Sequence, residues 1–153
     1  ENFDNVAAVI PVSPGEYNHK GAIELHGEDF LGPYRESEQN LAEGRPDVLL
    51  RPGVPWGSTW SARSYVDCFN VDNRYSVVAR APDIGRPTLF IFGSEECLVG
   101  GSQELPVCGA ACRGLQDAGY STVQVTVIDG ANHGYVDREM DLMDTIFSWL
   151  KKL

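Results

Sequence analysis

Two short, uninterrupted apolar runs do most to limit what this chain can fold into. Residues 87–92 read Pro-Thr-Leu-Phe-Ile-Phe and residues 6–12 read Val-Ala-Ala-Val-Ile-Pro-Val. Neither run alternates with polar residues. A strand built from either must be covered on both faces, as in a parallel sheet flanked by helices. A third run, Thr122-Val123-Gln124-Val125-Thr126-Val127-Ile128, is rich in β-branched residues and strand-forming. Between the second and third runs the pattern predicts a helix over roughly 103–117, stopped by Gly119. After Ile128 comes Asp-Gly-Ala-Asn-His-Gly, a loop by composition. The last segment, 137–151, is an amphipathic helix: Met140, Met143, Ile146, Phe147 and Leu150 recur at helical spacing. Its acidic residues come first and Lys151 and Lys152 last, which complements the helix dipole. From residue 86 onward the order is therefore strand, helix, strand, helix. That alternation specifies an α/β fold with a parallel sheet and right-handed crossovers.

Residues 14–85 read differently. They are rich in Gly, Pro, Asn, Asp and Trp, and only 35–43 and 59–69 carry helical pattern. Some seventy residues are too many for a simple connection between core strands. The expected organisation is a core strand in 1–13, a lid or cap insertion in 14–85, and the main α/β core in 86–153.

Twelve Lys and Arg against 22 Asp and Glu leave a net charge of −10. That balance argues against nucleic acid or an anionic membrane as the main partner. No run reaches the roughly 18 apolar residues of a membrane span. The four cysteines, 68, 97, 108 and 112, form no Cys-x-x-Cys pair and have no His at metal-like spacing, so neither metal nor cofactor is expected. They allow two disulfides or buried thiols. Cys97 reads as structural, bonded to Cys108 or to Cys112. The chain opens Glu1-Asn2-Phe3, without Met. With the cysteines, that start leans toward a processed, exported protein.

Two loops carry the chemistry. Each follows a buried strand, where ligands of open parallel sheets bind. The first is Gly93-Ser94-Glu95-Glu96-Cys97 and the second is Asp129-Gly130-Ala131-Asn132-His133-Gly134. A carboxylate after one strand and a histidine after a later one form the orienter-and-base half of a nucleophilic triad. Histidine suits the base because its pKa of about 6.5 lies near working pH. Trp56, Trp60 and Tyr65, with Phe69, cluster in the lid segment. They are candidates for the wall of a substrate pocket and equally for lid core. His19 and His26 read as loop residues.

Residues 86–153 resemble the carboxyl-terminal part of an α/β-hydrolase. Arg86–Glu96 is similar to that family's penultimate strand and acid loop, which ends Gly-x-x-Asp. Glu96 then holds the acid position, with Glu95 one register step away. Gly130-Ala131-Asn132-His133-Gly134 is similar to the histidine loop, with His133 as base. By the same resemblance residues 5–14 match the strand after the nucleophile helix, and 14–85 fall where the family carries its lid. The departure is that no Gly-x-Ser-x-Gly elbow occurs anywhere in the chain. The resemblance implies a second chain carrying the nucleophile serine and the amino-terminal strands, the two forming a heterodimer. It also implies a small carboxylic ester, or less often an amide, as substrate. The alternative is a non-catalytic binding or assembly subunit of the same shape.

Overall fold

The computed structural model describes residues 5–51, 59–97 and 106–153. Along the chain run α1 (His19–His26), α2 (Glu28–Ala42), α3 (Ala62–Cys68), α4 (Val77–Arg80), a 3-10 turn (Ala81–Ile84), β1 (Thr88–Gly93), α5 (Pro106–Ala118), β2 (Val123–Ile128) and α6 (Glu139–Leu150). Among the described residues the architecture is thus mixed α/β, with six helices and a two-stranded parallel sheet. The chain divides into two compact units. The first is Glu1–Glu16 with Val77–Leu153, and the second is Tyr17–Ser76. The intervening unit is therefore narrower at both ends than the expected 14–85.

In the first unit β1 and β2 pair in parallel, Thr88 with Val123 through Gly93 with Ile128. The apolar run at 6–12 lies on the other side of β1. It does not form a full strand but touches β1 through two parallel bridges, Val9 with Thr88 and Val12 with Ile91. Three backbone hydrogen bonds hold it there, among them Val9 N–H to the Pro87 carbonyl (3.0 Å) and Leu89 N–H to the Val9 carbonyl (3.0 Å), and the flanking Ser13 N–H adds one to the Ile91 carbonyl (2.8 Å). Pro11 has no N–H to give. Its carbonyl instead accepts from Ile91 (3.0 Å).

All six residues of β1 are buried. Period-two alternation sends Phe90 and Phe92 to one face, with Ala111, Cys112 and Leu115 of α5. It sends Leu89 and Ile91 to the other face, with Ile128, Tyr135 and Trp149 of the α6 side. Covering each large apolar side chain contributes about 1.5–3 kcal/mol, which is why this strand carries no polar alternation. The disulfide joins Cys97 to Cys112, with Cα atoms 5.8 Å apart, and so ties the loop after β1 to α5. Cys68 and Cys108 remain as thiols. Among the described residues no helix is long and apolar enough to cross a membrane.

The second unit is helical. The sequence reads His19 and His26 as loop residues, but both lie in α1. Asn18 caps that helix, its side chain accepting from the Gly21 N–H at 2.6 Å. Helix α2 extends seven residues ahead of the expected 35–43, and Phe30, Pro33, Tyr34, Ser37 and Asn40 form its buried side. Helix α3 begins at a capping box made by Ser61 and Ser64. The core of the unit gathers Phe30, Tyr34, Leu50, Tyr65 and Phe69.

Candidate functional site

The site lies in the first unit, where the loops after β1 and β2 meet. Two glycines permit the meeting. A Cβ on Gly93 would stand 2.2 Å from the Ala131 carbonyl oxygen, so only glycine lets the histidine loop press onto the end of β1. A Cβ on Gly109 of α5 would stand 2.5 Å from the Glu96 carbonyl oxygen, so α5 can lie directly against the acid loop. One backbone bond and one to a side chain lock the two loops together: Glu95 N–H donates to the Ala131 carbonyl (3.1 Å), and Gly130 N–H donates to the Ser94 hydroxyl (2.8 Å). Asn132 shapes the turn beyond His133 by accepting from Gly134 N–H (3.0 Å) and Val136 N–H (3.2 Å).

Glu96 is 2% exposed. Its Oε1 lies 2.6 Å from His133 Nδ1. Its Oε2 accepts from the Gly93 N–H (2.8 Å) and the Ser13 hydroxyl (2.7 Å). A buried carboxylate is costly unless its oxygens are satisfied, and here three donors converge on it. The Ser13 hydroxyl lies 2.9 Å from the Tyr135 hydroxyl, and Tyr135 also reaches the Ile91 carbonyl at 3.3 Å. Ser13 has one proton and gives it to Glu96, so Tyr135 donates to Ser13 and the Ile91 carbonyl shares that proton. Burial pushes the Tyr135 hydroxyl up to about 12; the Ser13 bond opposes this, and the nearby Glu96 and Cys108 add to it. The phenol therefore stays a neutral donor. Ser13 (φ 48°) and Tyr135 (φ 54°) both adopt the left-handed backbone. For non-glycine residues that conformation costs about 1–3 kcal/mol and persists only where its surroundings impose it.

The His133 side chain is 44% exposed while that of Glu96 is fully buried. The imidazole thus has Nδ1 anchored to the buried carboxylate while part of the ring reaches solvent. Cys108 is the third neighbour. It is buried, with Sγ 3.5 Å from the Ser13 carbonyl and 3.9 Å from His133 Nδ1.

Of the residues singled out in the sequence, the structure brings Glu96 and His133 together. Glu95 is exposed one residue earlier. A further buried carboxylate, Glu16, a few residues past the 6–12 run, accepts from the Val78 N–H in α4 at 2.9 Å. Cys97 is in the disulfide, and Cys68 sits in the second unit, its thiol pushed up to about 11 by burial and by Asp67. Trp56 lies outside the described residues. Tyr65 is completely buried in the second unit's core, and Trp60 packs against it with ring centroids 5.6 Å apart.

Ser13, Tyr135 and Cys108 carry no sequence motif. Ser13 could have been found from its place just past an apolar run, where parallel sheets keep their polar groups. No family model matches the chain, and no curated protein matches it either.

Proposed function

We propose that this chain supplies the acid and base of a Ser-His-Glu triad in a serine hydrolase of α/β-hydrolase type. The substrate class is carboxylic esters and, less often, amides, and the nucleophile serine comes from a second chain. The observation that carries this reading is the 2.6 Å contact between His133 Nδ1 and a buried Glu96 that Ser13 and Gly93 hold in place. With Nδ1–H given to Glu96, the Nε2 lone pair is left to act as base. In the reaction the serine oxygen attacks the carbonyl carbon while His133 takes its proton. His133 then gives that proton to the departing alcohol, leaving an acyl-enzyme. Water repeats the sequence and releases the acid. Glu96 keeps the imidazole in one tautomer and supports its charge when it is doubly protonated.

The need for a partner has its own support. Among the described residues no strand pairs with the outer edge of segment 9–12, and open edges recruit strands. On α6, Met140, Met143, Phe147 and Leu150 recur at three- and four-residue spacing and are 41–72% exposed. That row also favours the second reading, an assembly subunit without catalysis.

The test is His133→Ala in the assembled protein. Turnover of an activated ester should fall by about 10⁶-fold, while the chain still folds, its stability lowered by the roughly 1–3 kcal/mol that one lost donor to the buried Glu96 costs. Undiminished turnover would reject the role of His133. A copurifying partner whose serine is labelled by a fluorophosphonate supports the triad. A partner that binds but is never labelled supports the assembly reading.

A further inference from the structure

Glu96, Cys108 and His133 bring together a carboxylate oxygen, a sulfur and an imidazole nitrogen, all within 4.8 Å of one another. These are three donor types that zinc accepts, and three protein ligands with a fourth position open is the arrangement of reactive zinc sites. We propose that these three residues form a binding site for a thiophilic divalent ion of the zinc class, in the space that the His133–Glu96 hydrogen bond now occupies.

The distances carry the argument. Tetrahedral zinc, with its usual bond lengths to sulfur, nitrogen and oxygen, sets its ligand atoms about 3.4–3.6 Å apart. Sγ and Nδ1 stand at 3.9 Å, close to that spacing. Nδ1 and Oε1 stand at 2.6 Å, too close to bracket an ion. They must separate by roughly 0.8 Å, and the side chain able to move is the half-exposed His133. Glu96 cannot easily follow, since Ser13 and Gly93 hold its other oxygen. Those two are the supporting contacts that tune a ligand carboxylate. The sulfur selects against Mg²⁺ and Ca²⁺, which take oxygen ligands. The exposed ring provides the way in.

Binding releases the Cys108 thiol proton as the Sγ–metal bond forms. The imidazole proton moves from Nδ1 to Nε2 through solvent, because Nδ1 now bonds the ion. The nitrogen needed as base is then blocked. This consequence, an ion that switches the dyad off, rests on the hydrolase reading. The binding site itself rests only on the three ligands.

The test is titration of Co²⁺ into the protein in thiol-free buffer, so that the Cys97–Cys112 disulfide stays intact. A thiolate-to-cobalt charge-transfer band and intense tetrahedral d–d bands should appear, and Zn²⁺ should erase both. Cys108→Ser should lose the charge-transfer band, while Cys68→Ser should keep it. Ser13→Ala should weaken Co²⁺ affinity by about 10–100-fold. Should Cys108→Ser fail to fold by circular dichroism, His133→Gln, changed at an exposed side chain, should weaken the same band. Absence of the band, its persistence in a folded Cys108→Ser variant, or its loss in Cys68→Ser would overturn the site. The band is read without substrate. Failure of the esterase reading would therefore leave it in place, and its loss would leave that reading standing.

Discussion

The two units differ in the polar atoms at the centre of their cores, although the buried Ser37 and Asn40 of the second unit do pair with the Pro33 and Glu36 carbonyls. In Tyr17–Ser76 the core is a cluster of rings. Phe30 meets Phe69 at 5.3 Å and Tyr65 at 5.7 Å, and Tyr65 meets Phe69 at 5.3 Å. Within it the Tyr65 hydroxyl and the Trp60 Nε1–H are buried without a hydrogen-bond partner among the described residues. Each such group costs about 1–3 kcal/mol; ring pairs worth about 0.5–1.5 kcal/mol beyond their area offset this. In the unit of residues 1–16 and 77–153 the buried carboxylate of Glu96 has three donors; one of them, Ser13, and Tyr135, which holds Ser13, both adopt a left-handed backbone. The contrast separates a region selected for apolar packing from one selected for geometry at a polar group. Only the second kind can hold a proton at a chosen atom.

The largest test of this contrast is removal of the disulfide. The Cys97–Cys112 bridge closes a span of 15 residues in the first unit alone, so Cys97→Ala with Cys112→Ala should remove about 3 kcal/mol of its stability. Amide hydrogen exchange should show Leu89 and Ile91 losing protection while Phe30 and Tyr65 keep theirs. Equal losses in both places would mean that the units unfold as one, and the comparison would then describe one cooperative domain.

High pH should divide the units next. In the second unit burial, with Asp67 adding to it, lifts the Cys68 thiol from 9.0 to about 11. Below pH 9 it is protonated whether the chain is folded or not. Between 9 and 11 only the unfolded chain loses the proton, so stability falls as pH rises through that window. Tyr135 does the same for the first unit between 10 and about 12. Burial also raises the Tyr65 phenol, adding to the second unit's loss above 10. The second unit should therefore soften first. Denaturant unfolding followed by tryptophan fluorescence can read this, with Trp149→Phe removing the described tryptophan of the first unit. In that background Cys68→Ala should move the onset of the loss from about pH 9 to about pH 10. An unmoved onset would show that another group sets it.

The same contrast explains what the sequence made legible. Strand β1 announces itself by an unbroken apolar run, β2 by its β-branched residues, and helices α5 and α6 by their local helical pattern. The glutamate and histidine loops could be placed because each directly follows such a strand. Helix α1 could not: its eight residues contain one buried side chain, Ala22, and its start depends on the Asn18 cap rather than on any apolar stripe. The ring core of the second unit draws on positions from 22 to 69 with no common period. Around the site, Ser13 meets Glu96 across 83 residues and Tyr135 across 122, while Cys108 meets His133 across 25. Contacts of that span are set by the sheet's assembly, which no local pattern records.

The smallest effect is also the sharpest. The same substitution, Tyr→Phe, should act differently in the two units. Tyr135→Phe removes the donor to Ser13 and should cost about 0.5–1.5 kcal/mol, the net worth of an ordinary hydrogen bond. Tyr65→Phe removes a hydroxyl that has no partner among the described residues. Its loss leaves no new unsatisfied group, so stability should stay level or rise. The measurement is the denaturant midpoint at neutral pH, where both phenols are protonated, with the slope checked for constancy. On the hydrolase reading proposed above, a second readout distinguishes a structural tyrosine from a positioning one: Tyr135→Phe should also lower the turnover of an activated ester, since Ser13 loses the bond that aims it at Glu96, while Tyr65→Phe should leave that turnover alone. If Tyr65→Phe is the more destabilising of the two, its hydroxyl is satisfied after all, and the distinction between a packing unit and a geometric one fails at the residue chosen to represent it.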